Sequence, residues 1–212
     1  MNRHVNAISG RLSLRPPQRQ SLEILHRITE LAPPGGQADI AAALEAIHGE
    51  YPSVTDFERE FPSLCFALAT GVGKTRLMGA FISYLYLEHG ICNFFVLAPN
   101  LTIYNKLIAD FTANTAKYVF KGIAEFATEP PLVITGDTYE RGIGVRENAR
   151  RQRRLPGIAG EDGVHINIFN ISKINSEVRG GKSPRIKRLS EYIGESYFDY
   201  LAGLPDLVLL MD

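Results

Sequence analysis

Residues 69–75, ATGVGKT, constrain this chain more than any other feature of its sequence. Ahead of them residues 63–69, SLCFALA, form a nearly continuous apolar run without period-two alternation, the pattern of a parallel strand covered on both faces. Behind them residues 76–89 are apolar almost all round and are followed by Gly90, as expected of a helix buried between a sheet and its neighbours. A strand, a glycine-bearing turn and a helix start bring backbone N–H groups and the positive end of a helix to one place, which suits the oxygens of a polyphosphate. Thr70, Gly71, Val72, Gly73, Lys74 and Thr75 are therefore candidate ligand-binding residues. Gly71 and Gly73 allow close backbone approach. Lys74 is expected to set its ammonium on the β- and γ-phosphates of a triphosphate, as a catalytic residue, and Thr75 to give its hydroxyl to Mg2+.

Elsewhere helical and strand patterns alternate. Leu22, Leu25, Ile28 and Leu31 form one stripe of a helix that starts after Pro16 and Pro17 and stops at residues 33–36, PPGG. Asp39 reads as the N-cap of a second, short helix with Ile40, Leu44 and Ile47 on one face, and the acidic stretch 51–62 reads as irregular. Residues 92–98 read as a buried strand ended by Pro99, and Asn100 reads as the cap of a helix whose core face is Tyr104, Leu107, Ile108 and Phe111. Residues 132–135, 165–171 and 207–211 complete the set of strands. With right-handed crossovers this order predicts a three-layer α/β domain with a mostly parallel sheet.

Composition narrows the partners and the compartment. The 212 residues, 45% hydrophobic, suffice for one sizeable core and fall short of two full domains. The 23 Lys and Arg cancel 23 Asp and Glu, so any charged surface has to be local. Cys65 and Cys92 both sit in apolar runs and read as packing residues, which argues against a disulfide framework. No signal-like apolar core opens the chain, and no uncharged apolar stretch of about 18 residues occurs. The expectation is a soluble, cytoplasmic protein.

With Leu68 where the general phosphate loop carries its first glycine, the loop resembles that of helicase superfamily 2. The wider run FALATGVGKTRLMGAFISYLYL is similar to the motor (res) subunit of type III restriction enzymes. Four more segments agree in order: LRPPQRQSLEIL, FFVLAPNLTIYNKL, INIFNISKIN and DLVLLMD. The resemblance implies a RecA-like P-loop NTPase domain. Residues 1–60 would be an N-terminal helical extension with the adenine-recognition segment, and residues 61–212 the first motor domain, reaching its Walker B strand. It also implies that Gln18 hydrogen-bonds the adenine edge, with one donor and one acceptor side by side. Pro17 stands where the family commonly has an aromatic residue, and the guanidinium plane of Arg15 is the expected stacking surface instead. Asp212 would be catalytic and a Mg2+ ligand, while Pro99 and Asn100 would touch the nucleic-acid backbone.

The function so implied is ATP-driven DNA translocation or unwinding in the full-length protein, within a restriction system. Its expected partners are DNA, a second RecA-like domain, which carries the arginine finger, and a modification (methyltransferase) subunit. A Glu after Asp212 and that arginine finger belong to the family's reaction, so residues 1–212 by themselves are expected to turn over negligibly. The alternative is an ATP-binding regulatory or scaffold module that hydrolyses nothing. Residues 141–154 carry six arginines against Glu147, and residues 173–188 carry six basic residues against Glu177. Both suit phosphate-backbone contact, and equally a solvated insertion placed near 138–163.

Overall fold

The computed structural model describes residues 2–35, 39–146, 163–175, 184–190 and 193–211. The chain divides into two compact units, Met1–His89 and Gly90–Asp212.

The first unit is helical. Helix α1 (Arg3–Arg11) is capped by Asn2, whose side-chain oxygen accepts from the His4 and Val5 amides at 2.8 and 3.1 Å, and it buries Val5 and Ile8. This helix lies outside the expected elements, although an Asn followed by an apolar pair three residues apart is a start signal. Helix α2 (Pro16–Leu31) begins with the two prolines rather than after them, since its first turn needs no proline N–H, and it buries Leu22, Leu25 and Ile28. Helix α3 (Ile40–Glu50) is capped by Asp39 as expected, and its Ala43 and Ile47 join Ile28 and Phe57 in a small core. Helix α4 (Lys74–His89) buries every residue from 77 to 85, matching its apolar circumference. Helices α1 and α2 both pack on α4.

One polar cluster joins α2 to α4. The buried Tyr84 hydroxyl lies 2.9 Å from His26 Nδ1, 3.0 Å from Thr29 Oγ1 and 3.3 Å from His89 Nε2. Burial raises the Tyr84 pKa and lowers that of His89, since both groups are then held neutral.

Residues 63–69 do not form the strand expected of them. The segment is irregular, with Leu64, Phe66 and Leu68 half-buried while Cys65, Ala67 and Ala69 are exposed. Phe66 packs on Phe81 of α4 with ring centroids 4.9 Å apart, so the apolar run is spent on a helix rather than on a ladder. A strand exists only through a neighbour's hydrogen bonds, and among the described residues none pairs with this run. Cys65 is thus exposed, contrary to its reading as a core residue, whereas Cys92 is buried as expected.

The second unit holds a four-stranded, all-parallel sheet: β1 (Asn93–Ala98), β2 (Leu132–Thr135), β3 (His165–Asn170) and β4 (Leu207–Met211), in the order β2-β3-β1-β4. Among the described residues it is accompanied by α5 (Leu101–Phe111), α6 (Ala124–Thr128), α7 (Ile171–Asn175) and α8 (Tyr197–Ala202). Side chains alternate between the two faces of each strand. Phe95, Leu97 and Phe169 meet Ile134, Tyr139, Tyr197 and Leu201 in one cluster, while Phe94, Val96, Ala98, Ile166 and Ile168 are fully buried on the other face. Buried Asn167 donates to the Phe94 carbonyl at 3.2 Å and accepts from the Tyr197 hydroxyl. Asp206 ties the entry of β4 to β1, accepting from the Cys92 amide at 2.8 Å and from Asn93 Nδ2 at 2.6 Å. The final apolar strand is an edge among the described residues, with Leu209 41% and Met211 63% exposed.

Beside α5, Phe111, Phe120 and Phe126 pack together, with Tyr118 edge-on to Phe120. Burial pushes the Tyr118 hydroxyl up to about 12. The unfolded chain has the ordinary tyrosine value near 10. The neutral form is therefore favoured by folding, and the stabilisation is present below pH 10 and lost as pH rises from 10 through about 12. Urea midpoints measured from pH 8 to 12 should fall for the wild type above pH 10, and Tyr118→Phe should flatten part of that fall. An identical fall in the variant would assign it to other groups.

No helix among the described residues is long and apolar enough to cross a membrane.

Candidate functional site

The glycine-bearing loop takes its form from two residues in the left-handed region, Gly71 at φ +82° and Gly73 at φ +96°. A side chain is strained in either conformation. Gly73 is constrained twice, because a Cβ there would lie 2.8 Å from Gln18 Nε2. Its carbonyl begins α4, accepting from the Arg76 and Leu77 amides at 3.0 and 3.2 Å. Lys74 is the first residue of α4 and is exposed, as are Thr70 and Gly71, while Val72 and Thr75 are half-buried. The first turn of α4 carries no acidic residue, so no carboxylate of that turn competes for the positive end of the helix.

Two residues from the start of α2 reach this loop. Gln18 is 1% exposed; its Oε1 accepts from the Arg15 amide at 2.8 Å and its Nε2 donates to the Gly73 carbonyl at 2.8 Å. Arg15 is exposed, and its Nη1 donates to the Gly71 carbonyl at 3.1 Å. The candidate adenine residues and the candidate phosphate residues are thereby brought together in the first unit. Both groups are expected at one site, and among the described residues Gln18 and Arg15 hold the loop backbone.

The other candidates lie in the second unit. Pro99 and Asn100 are exposed directly after β1, and Asn100 Oδ1 accepts from the Ile103 amide at 2.9 Å, so Asn100 is the expected cap of α5. Ala98 pairs with Asn170 and Leu97 with Met211, so β1, β3 and β4 end at one edge of the sheet. That edge also gathers Asn170 and Ser172, whose amide donates to Asn170 Oδ1 at 2.8 Å. These two were not singled out, although a polar pair closing an apolar strand was visible in the sequence. Asp212 lies outside the described residues, as do residues 147–154 and 176–183 of the two basic segments. Of the described part, Arg185 pairs with Glu140 at 3.1 Å and Lys187 Nζ sits 4.9 Å from the centroid of the Phe198 ring.

Chemically, the loop fits a polyphosphate. Its donor set is one lysine, one threonine hydroxyl and the backbone at a helix start, with glycines at two left-handed positions. Among the described residues no three His, Cys, Asp or Glu side chains gather into a metal site.

A family model described as type III restriction enzyme, res subunit, matches residues 11–212. No curated protein matches the chain, and no solved structure does.

Proposed function

The chain belongs to the type III restriction enzyme res subunit family and carries its RecA-like, helicase-type motor module; on that premise we propose that it binds ATP with Mg2+ at residues 70–75 and, in the full-length protein, couples hydrolysis to movement along DNA. The observation that carries the ATP reading is the convergence of Arg15 and Gln18 on the carbonyls of Gly71 and Gly73.

In this reading the backbone of residues 70–75 and the start of α4 cradle the phosphates, and Lys74 holds the β- and γ-phosphates. Thr75 and Asp212 hold the metal. Bound Mg2+ neutralises charge that develops on the phosphate oxygens. Arg15 and Gln18 are the base-side residues of this reading. Pro99 and Asn100, exposed at the end of β1, are positioned to meet a DNA backbone without reading bases. Residues 1–60 act as the adenine-side extension and 61–212 as the first motor domain, working with a second RecA-like domain. A methyltransferase subunit is the natural partner of such a motor, and the basic segment near 138–163 is a further place for phosphate contact.

The test is ATP hydrolysis by the full-length protein with and without duplex DNA. DNA should raise the rate at least about tenfold, equivalent to about 1.4 kcal/mol of barrier, and Asp212→Asn should remove the stimulated rate. A regulatory or scaffold module would bind ATP and show no stimulation, and that result would overturn the motor reading.

A further inference from the structure

Gln18 is the most buried polar side chain near the loop, and both ends of its amide are engaged within the protein. Its oxygen caps the Arg15 amide and its nitrogen holds the Gly73 carbonyl, each at 2.8 Å. Each bond uses one of the two sites at its end of the amide, so the hold on the loop is compatible with a base edge as well. Arg15 adds a second anchor at the Gly71 carbonyl, 3.1 Å away.

We propose that Gln18 and Arg15 are positioning residues for the phosphate-binding loop: from the start of α2 they hold the carbonyls of Gly71 and Gly73 and so set the loop's shape for a triphosphate, whether or not a base is present. A trans peptide unit points its N–H opposite to its C=O. Fixing the Gly73 carbonyl toward Gln18 therefore aims the Lys74 amide away from α2, out of the start of α4, where an anion would sit. The two glycines lie at φ +82° and +96°, in a region where a glycine backbone is free to move, so an external hold on both carbonyls restricts segments that local sequence leaves loose. The tight approach of Gln18 to Gly73 shows the same dependence from the other side, since a Cβ at Gly73 would fall 2.8 Å from Nε2.

This rests on the reading of residues 70–75 as a phosphate site, and the test separates the two. Inorganic triphosphate, which has no base, and ATP are titrated against the full-length wild type, Lys74→Ala and Gln18→Met. The wild type should bind both, and Lys74→Ala should lose both. Gln18→Met, uncharged and of similar volume, should weaken triphosphate and ATP by a similar factor of about five, the ratio expected for one net hydrogen bond. Amide exchange at residues 70–75, read with no phosphate present, should speed up in the same variant while the melting temperature stays close to wild type.

Loss of ATP binding with unchanged triphosphate binding would make Gln18 a base reader only and would overturn the proposal. So would unchanged binding of both ligands. If Gln18→Met melts too low to titrate, Gln18→Glu keeps the acceptor for the Arg15 amide and removes the donor to Gly73. Faster loop exchange in that variant supports the brace and unchanged exchange overturns it. Should the wild type fail to bind triphosphate and ATP alike, the phosphate reading itself fails.

Discussion

Lys74→Ala should weaken ATP binding at least about 100-fold, the effect of removing a charge-assisted contact worth about 3 kcal/mol. The side chain is exposed at the first position of α4, so nothing in the fold depends on it. Alanine also has the higher helix propensity. The melting temperature without nucleotide should therefore stay where it is, while the stabilisation that ATP gives the wild type disappears. Calorimetric titration and thermal melts with and without ATP check both halves. Unchanged ATP affinity in the variant would show that residues 70–75 are an ordinary glycine turn.

Phe94→Ala should cost about 3–5 kcal/mol, the range for emptying a buried aromatic site. That is a large part of the stability of about 5–15 kcal/mol available to a domain. Phe94 is fully buried on β1, which pairs with β3 on one side and β4 on the other, so there is no free edge toward which the sheet can relax around the void. Leu209→Ala on β4 is the control. At 41% exposure it loses far less burial and should cost under about 1 kcal/mol. Urea denaturation of the two variants measures the difference, and similar midpoints would mean that the sheet does not depend on the Phe94 site.

Much of this fold follows from short stretches of chain. The loop at 69–75, the prolines that start α2, the Asp39 and Asn100 caps and the apolar circumference of α4 are all decided within a few residues, because capping bonds and helical faces involve neighbours three or four positions apart. The four strands 93–98, 132–135, 165–170 and 207–211 lie where apolar runs placed them, and their parallel pairing agrees with the alternation of strands and helices.

Pairing order and exposure are different in kind. The apolar composition of 63–69 could not tell whether a neighbouring strand would bond to it, and in its absence Phe66 packs on Phe81 and Cys65 faces outward. The final run 207–211 is strongly apolar, yet among the described residues it takes an edge of the sheet with Met211 exposed. Likewise Gln18 and Gly73 are 55 positions apart, so the bond between them exists only once α2 packs on α4. Local chemistry by itself determined the helices from α2 to α5 and the glycine turn at 69–75, and it marked the apolar runs able to become strands. The tertiary structure alone decided which strands become neighbours and what Gln18 holds, because hydrogen bonds between distant segments depend on packing that no window of sequence contains.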